Sequence, residues 1–437
     1  MDKSVTPNPW GLAPILVFVA LIISTGVLTN NITAMPVLVG FMLAAGFALF
    51  LNPKGQRLTI GEKVQIFCEG GGNKNIILLV MIFLMAGAFY SLTIDVGARD
   101  ATVNIALNLV PEDLILPSLF LICCFISFAM GTSMGTITAL SPVGIGIAES
   151  LGISIPMALG VVVSGAMFGD NLSFVSDTTI AATRSQGVKL TDKFKANLLV
   201  VLPAAIVTAL ILLSIDVNSI DALKERETSL VNVLPFFIII GSALAGLNVI
   251  VVLALGIISA ALVGLFNGSF STLEMFQSIQ TGMGWMQDLA MIAITIGGIV
   301  GLMTAYGGIH WLIGALTKKV KTKRGAEFSI ASLVGFLDLT TANNTISIVT
   351  AGPIARELGE QYEADPRRLA SLLDIFSCAF QGLVPYGAQL LSAAAIAGIS
   401  PLEITPYCWY PMLIFVCGII SIATGLPRFS KPAGDVL

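Results

Sequence analysis

Charge is scarce in this chain. Only 11% of its 437 residues are Asp, Glu, Lys or Arg, against about a quarter in soluble domains, which excludes a water-soluble surface for a chain of this size. Histidine is almost missing, with His310 alone, and it reads as an interfacial residue. With no clustered His, no nucleophile beside a base and no phosphate-binding glycine loop, the sequence shows no enzymatic machinery. The six cysteines, Cys68, Cys123, Cys124, Cys378, Cys408 and Cys417, have neither metal-ligand nor disulfide spacing and read as small buried hydrophobes. Neither sign of charge dominates: the formal net charge is -4, which offers nucleic acid no basic surface.

Apolar sequence fills the space that charge leaves. Hydrophobic residues make up 56% of the chain, enough for about a dozen membrane crossings at roughly 20 apolar residues each. The first run, Leu12 to Leu28, has a nearly uncharged n-region and a second apolar run soon after it, so it reads as a span rather than a signal peptide. Continuous spans are expected at Leu12 to Leu28, Ile32 to Leu51, Ile76 to Thr93, Ala196 to Ser214, Leu230 to Ala245, Val249 to Phe266, Leu289 to Tyr306 and Ile404 to Leu426. Four other apolar stretches are interrupted, at GTSMGT (Gly131 to Thr136), GDNLSFVSDTT (Gly169 to Thr179), TTANNT (Thr340 to Thr345) and FQGLVPYGAQ (Phe380 to Gln389). Such backbone survives at membrane depth only where protein buries it or water lines it.

The positive-inside rule orients the spans. If Leu114 to Ala148 and Phe328 to Ile354 each enter and leave on one side, 19 of the 22 basic residues fall inside, from Lys3, Lys54 and Arg57 through Lys193 and the Lys318 to Arg324 cluster to Lys431. Only Arg99, Lys224 and Arg226 fall outside, and every basic residue is assigned to a loop. Both termini are then cytoplasmic.

The two halves resemble each other at a shift of about 210 positions. Gly87 pairs with Gly297, Gly97 with Gly307, Pro142 with Pro353 and Phe168 with Phe380, which sets GTSMGT opposite ANNTIS. The charge threading gives these halves opposite orientations. The reading is an all-α polytopic membrane protein with inverted structural repeats, broken helices or re-entrant hairpins and roughly 10–12 membrane segments. Its parts are an N-terminal transmembrane pair (1–60), a first repeat (61–229), a linking pair (230–270) and a second repeat (271–437).

Secondary transporters of this plan bind their substrate where the interruptions meet. In GDNLSFVSDTT, Asp170 and Asp177 stand seven residues apart among Asn171, Ser173, Ser176 and Thr178, a dense set of oxygen ligands for a hard cation. On a continuous helix the two carboxylates share a face; an unwound turn would add carbonyl oxygens. Two carboxylates in a low-dielectric setting cannot both stay ionised cheaply, so a proton competes with the cation. The bland reading is a cytoplasmic loop in which Asp residues cap helices and Arg184 pairs with Asp177. Supporting residues are Thr132, Ser133 and Thr136 in GTSMGT and Asn343, Asn344 and Thr345 in TTANNT. Asp338 could cap the half-helix starting near Thr341, whereas Asp374 reads as a coupling or network residue. No cofactor is called for; the species handled are a sodium ion and a proton.

GTSMGT and GDNLSFVSDTT together resemble the NhaC-type sodium/proton antiporters of the ion transporter superfamily. The departure is Phe174, where that pattern often carries proline. The resemblance implies a secondary transporter of the cytoplasmic (inner) membrane exchanging sodium for protons, with Asp170 and Asp177 holding the transported ion. It also implies an elevator-like movement against a lipid-embedded scaffold able to form a homodimer. Relatives of that family exchange organic acids or carry amino acids, and NNT resembles the Ser-Asn-Thr motif of dicarboxylate carriers, so a sodium- or proton-coupled amino-acid or organic-acid transporter is the alternative. A basic partner for an organic anion is not expected, since the basic residues are assigned to loops.

The charge threading predicts that single cysteines at Lys321 and Ser219, in a cysteine-free background, label from opposite sides of the membrane. Labelling of both from one side would overturn the orientation of the second half.

Overall fold

The computed structural model describes residues 6–29, 34–53, 58–174, 176–215, 230–318 and 320–429. Lys3, Lys54, Arg57, Lys224, Arg226, Lys319 and Lys431, counted for the orientation, and Ser219 lie outside the described residues.

Among the described residues every regular element is a helix. The leading pair is α1 (Ala13–Thr29) and α2 (Val37–Phe50). Next come α3 (Ile60–Gly71), α4 (Lys74–Asp95), α5 (Ala98–Leu109), α6 (Ile115–Met130), α7 (Ser133–Leu151), α8 (Ile155–Leu172), α9 (Asp177–Gln186) and α10 (Leu190–Leu213). A second pair, α11 (Leu230–Leu244) and α12 (Val249–Asn267), precedes α13 (Thr272–Trp285), α14 (Gln287–Ala305), α15 (Gly308–Thr317), α16 (Lys323–Thr341), α17 (Asn344–Gln361), α18 (Pro366–Gln381), α19 (Ala388–Ala397), the short α20 (Pro401–Ile404) and α21 (Trp409–Thr424). Each of the eight expected continuous spans contains a helix within its described residues, the second only from Val37 to Phe50 and the last only after a 3-10 turn at Thr405–Tyr407.

Local chemistry repeats with the element order. α3 opens on a capping box of Thr59 and Glu62, and α13 on one of Ser271 and Glu274. Gly97 and Gly307 take the left-handed conformation ahead of α5 and α15 (φ 71° and 78°), which a side chain would strain. Thr132 caps α7 and Asn343 caps α17, and Pro142 and Pro353 lie inside those two helices. All four interruptions are helix breaks, between α6 and α7, α8 and α9, α16 and α17, and α18 and α19. The short α3 and α13 have no counterpart among the expected spans.

Among the described residues six helical stretches are long and apolar enough to cross a membrane, or seven if Ala388–Ala397 and Pro401–Tyr407, bent by 102°, form one broken span. Five shorter apolar helices of 10–17 residues accompany them. Leucines and isoleucines such as Leu16, Ile23, Leu199, Leu210, Ile258 and Leu262 point outward from α1, α10 and α12, as a lipid-facing surface requires. The core lies instead along α7, α8 and α18, whose residues are nearly all buried.

Contacts between the halves are reciprocal: α3 lies along α14 while α13 lies along α4, and α9 meets α17 while α19 meets α7. Such reciprocity marks a pseudo-twofold relation. Glycines permit the closest approach. A Cβ on Gly87 would overlap the Gly282 carbonyl, and one on Gly282 would overlap that of Gly87; Gly70 and Gly297 stand in the matching relation across α3 and α14. Small residues of this kind let membrane helices touch along their backbones. Gly282→Val should therefore destabilise the folded protein by about 1–3 kcal/mol, read as a lower thermal midpoint in detergent, whereas Gly284→Val, with open space at its Cβ position, should leave the midpoint nearly unchanged.

Candidate functional site

The four breaks bring four helix N-termini to one place. Ser133 of α7, Asp177 of α9, Asn344 of α17 and Ala388 of α19, the first residue of each helix, line a cavity of about 180 Å³ together with Thr132, Asp170, Asn343, Thr345, Gln381 and Gln389. Each N-terminus presents unpaired N–H groups and a partial positive charge.

Asp170, on the last turn of α8, is 3% exposed. Its Oδ1 accepts from the Ser133 backbone N–H at 3.0 Å and its Oδ2 from the Ser133 hydroxyl, so the carboxylate sits against the start of α7. Gln389 Nε2 donates to Ser133 Oγ at 3.1 Å, and Gln381 Nε2 donates to Gln389 Oε1 at 2.7 Å and to the Ala342 carbonyl at 3.2 Å. Gln381 Oε1, buried beside the cavity, has no hydrogen-bond partner among the described residues.

Asp177 lines the same cavity but is exposed. It accepts from Thr345 Oγ1 at 2.6 Å and from the Thr178 N–H at 3.0 Å, and these bonds, rather than the expected pairing with Arg184, hold it. Because α8 ends at Leu172 and α9 starts at Asp177, the carboxylates stand on separate helices, whereas one continuous helix would have set them on one face. Phe174 stacks on Phe194 of α10 at 4.9 Å between ring centroids, so an aromatic contact anchors the unwound segment where proline is common in the resembled pattern.

The remaining expected residues surround the cavity without lining it. Thr178 Oγ1 shares a hydrogen bond with Ser176 Oγ at 2.9 Å and donates to the Asp170 carbonyl. Ser173 is buried at the end of α8. Thr136, one turn into α7, donates to the Thr132 carbonyl. Asn171 points the other way, toward Asp374: its Nδ2 donates to Asp374 Oδ2 at 3.1 Å while its Oδ1 accepts from Tyr410 at 2.8 Å. Asp374, on α18, is thereby joined to α8. Asp338 is not the cap of α17. That role belongs to Asn343, whose Oδ1 accepts from the Ile346 N–H at 2.9 Å, because Asp338 lies within α16, a turn before its end, where it accepts only a 3.4 Å bond from Ser347 among the described residues.

A larger correction concerns basic residues. Lys63, Lys193 and Arg368 are buried rather than in loops. Lys193 lies in the first turn of α10, close in sequence to a loop, yet its long side chain reaches inward to Asp374 Oδ2 at 2.8 Å; sequence position locates a Cα, not the end of a flexible stem. Lys63 Nζ donates to Asn52 Oδ1 at 2.7 Å, and Arg368 pairs with Glu327 at 2.7 Å.

Sequence reasoning also missed Gln381 and Gln389, although the fourth interruption contains both. The signal was in the repeat: at the shift that superposes α7 on α17, Asp170 falls on Gln381 and Thr178 on Gln389. No Lys or Arg lines the cavity among the described residues. Its polar side, set against apolar residues such as Leu78, Ile82 and Val249, suits a hard monovalent ion or a small protonated amine, and its volume exceeds that of a bare ion by several water molecules at about 30 Å³ each.

A family model described as the Na+/H+ antiporter family matches residues 5–217 and 165–426. The chain is 26% identical to the malate-2H+/Na+-lactate antiporter of Bacillus subtilis (strain 168), across 94% of this chain and 93% of that protein. It is 24% identical to the Na+/H+ antiporter NhaC of Alkalihalophilus pseudofirmus, across 97% and 98%. The arginine/ornithine antiporter ArcD of Halobacterium salinarum is 24% identical, across 82% and 80%.

If the free Gln381 oxygen and the Asn344 amide face a bound cation, Gln381→Ala and Asn344→Ala should each raise the half-saturating cation concentration about ten-fold, the size of one hydrogen-bond-like contact. Titration of cation into proteoliposomes with an entrapped pH dye measures it; unchanged values in folded protein would remove these residues from the site.

Proposed function

This chain belongs to the Na+/H+ antiporter family, and from that premise we propose that Asp170 is the group at which sodium and a proton alternate during exchange. The observation that carries this reading is a buried carboxylate on a cavity whose polar side is made of hydroxyl and amide groups and the exposed Asp177, without a basic side chain among the described residues. An ionised Asp170 accepts sodium together with oxygens drawn from Ser133, Gln381, Gln389 and Asn344. When a proton takes the carboxylate, the cation loses its buried negative partner and leaves. Both loaded forms carry the same charge, so exchange does not require moving a bare carboxylate through a low-dielectric region. Asp177, at the rim and held by Thr345, attracts cations and hands them inward.

The protein is a multi-pass membrane transporter, with sodium and protons as its transported species. Beyond that, we place it in the cytoplasmic (inner) membrane with both termini inside, in contact with lipid, and working without catalysis, resident metal or cofactor. The proposed parts are an N-terminal pair (1–60), a first repeat (61–229), a linking pair (230–270) and a second repeat (271–437), inverted relative to each other. The reciprocal helix contacts support that division; a homodimeric scaffold is its natural extension.

A second reading is favoured by one observation, the convergence of four helix N-termini on a space larger than a bare ion. A small zwitterion could set its carboxylate on the starts of α17 and α19 and its ammonium on Asp170. A dicarboxylate fits poorly, because Asp170 and Asp177 face the same space and Lys193 points away from it.

Asp170→Asn keeps size and hydrogen bonding but removes the titratable charge. In proteoliposomes under an imposed pH gradient, the variant should lose sodium-driven proton movement altogether while remaining folded. Exchange at ordinary affinity and pH profile would overturn the assignment. Wild-type proton movement that needs an added amino acid, and not sodium alone, would select the second reading.

A further inference from the structure

Behind Asp170, on the far side of the last turn of α8, lies a second charged group that the exchange cycle as described does not use. Lys193 and Asp374 are 1% and 0% exposed and form an ion pair at 2.8 Å. Lys193 Nζ also donates to the Asn171 carbonyl at 2.8 Å and to Thr179 Oγ1 at 2.6 Å, and that Thr179 hydroxyl donates in turn to the Asp170 carbonyl at 3.4 Å. Asn197 Nδ2 donates to the same two acceptors, the Asn171 carbonyl at 2.8 Å and Asp374 Oδ2 at 2.7 Å. The ammonium therefore closes the carbonyl end of α8, where a cation is favoured, and ties it to α18. Charged pairs at this depth are costly and usually have a task.

We propose that Lys193 is a positioning and charge-balancing residue of the cation site: by neutralising Asp374 it leaves Asp170 as the one uncompensated charge of the buried cluster, so a single monovalent ion fills the site. Within this hydrogen-bonded network two carboxylates and one ammonium sum to one negative charge; Asp338, also buried, bonds instead to Ser347. Sodium on Asp170, or a proton, brings that sum to zero. Without Lys193, Asp374 would compete for the incoming cation; without Asp374, the bare ammonium would repel it. The inference rests on the assignment of Asp170 made above.

The charge account makes the two single neutralisations differ in sign. Asp374→Asn leaves an unpaired ammonium and should raise the half-saturating sodium concentration on the order of ten-fold, the effect of one unit charge at an effective dielectric of about 20. Lys193→Met adds an unpaired carboxylate and should lower that concentration, with slower turnover as the ion is held more tightly. The double variant Lys193→Met with Asp374→Asn, again net neutral, should return to within about three-fold of wild type. All are measured in proteoliposomes with sodium titrated at one pH, after the folded fraction has been equalised by size exclusion in detergent. Lys193→Arg, which keeps the charge, serves where Lys193→Met yields too little folded protein, and should retain wild-type sodium affinity. Single variants that leave sodium affinity unchanged would overturn the proposal, as would singles that both weaken it with a double no better than either, which is what a purely structural knot would give. Asp170→Asn separates this from the underlying assignment: if that variant still exchanges sodium for protons, the site reading fails, whereas a failed double variant with inactive Asp170→Asn removes only the role of Lys193.

Discussion

A helix broken at membrane depth leaves N–H and C=O groups that hydrocarbon cannot satisfy, so the four breaks of this chain have to be closed by protein or lined by water. Closure is visible group by group. The Ser133 N–H is taken by Asp170, the Ile346 N–H by Asn343 and the Thr178 N–H by Asp177. On the carbonyl side, Asp170 is met by Thr178 and Thr179, Asn171 by Lys193 and Asn197, and Ala342 by Gln381. Capping and ion handling are therefore not rival explanations of these side chains. A residue that holds an open backbone in place is already pre-positioned, with its remaining lone pairs aimed into the space that the break creates.

Pseudo-twofold geometry decides which groups meet there. Because α9 lies on α17 and α19 on α7, each half supplies the floor for the other's break. Ser133 and Asn344 occupy corresponding positions, as do Asp170 and Gln381. The symmetry is broken in charge alone at the last pair: one half presents a carboxylate, the other a neutral amide. Two carboxylates there would repel across a small cavity; two amides would leave a cation without a counter-charge. The observed combination sets one anionic side chain against one neutral one.

What the sequence disclosed follows from how far each signal reaches. Long apolar runs, interruptions by Gly, Asn, Asp and Thr, and a repeat of about 210 positions are local or periodic, and α1, α4, α10, α12 and the four breaks lie where those signals put them. Asp170, Ser133 and Asn344 were legible because polar residues inside apolar sequence are expensive. Lys193 was not, since four methylenes let a residue at a helix start reach the interior. Nor was the failure of Asp338 to cap α17 readable, because which of several adjacent polar residues caps depends on where the chain turns, and Ala342 takes that turn with φ 49°. The helices α3 and α13 were invisible for a different reason: at 12 and 14 residues with mixed polarity, they are too short and too polar to read as spans, and only their shared capping boxes and glycine contacts show them to be equivalent.

The same charge count narrows the kind of cation the site can hold. Soft metal ions want thiolate or imidazole, yet the buried cysteines are dispersed, and among the described residues no group of three or more His, Cys, Asp and Glu is placed around a common point. A hard divalent ion would suit the oxygens but not the charge, since Asp374 is already matched by Lys193 and Asp170 is the one buried carboxylate that lines the cavity among the described residues. Recruiting Asp177 would require pulling an exposed carboxylate from Thr345 and closing the unwound Ser173 to Ser176 segment around the ion. A monovalent cation needs none of this. On the proposed assignment it would replace a proton at Asp170, complete its shell with hydroxyl and amide oxygens and water, and leave the rest of the buried network unchanged, which is the condition for an exchanger whose two loaded forms must be close in energy.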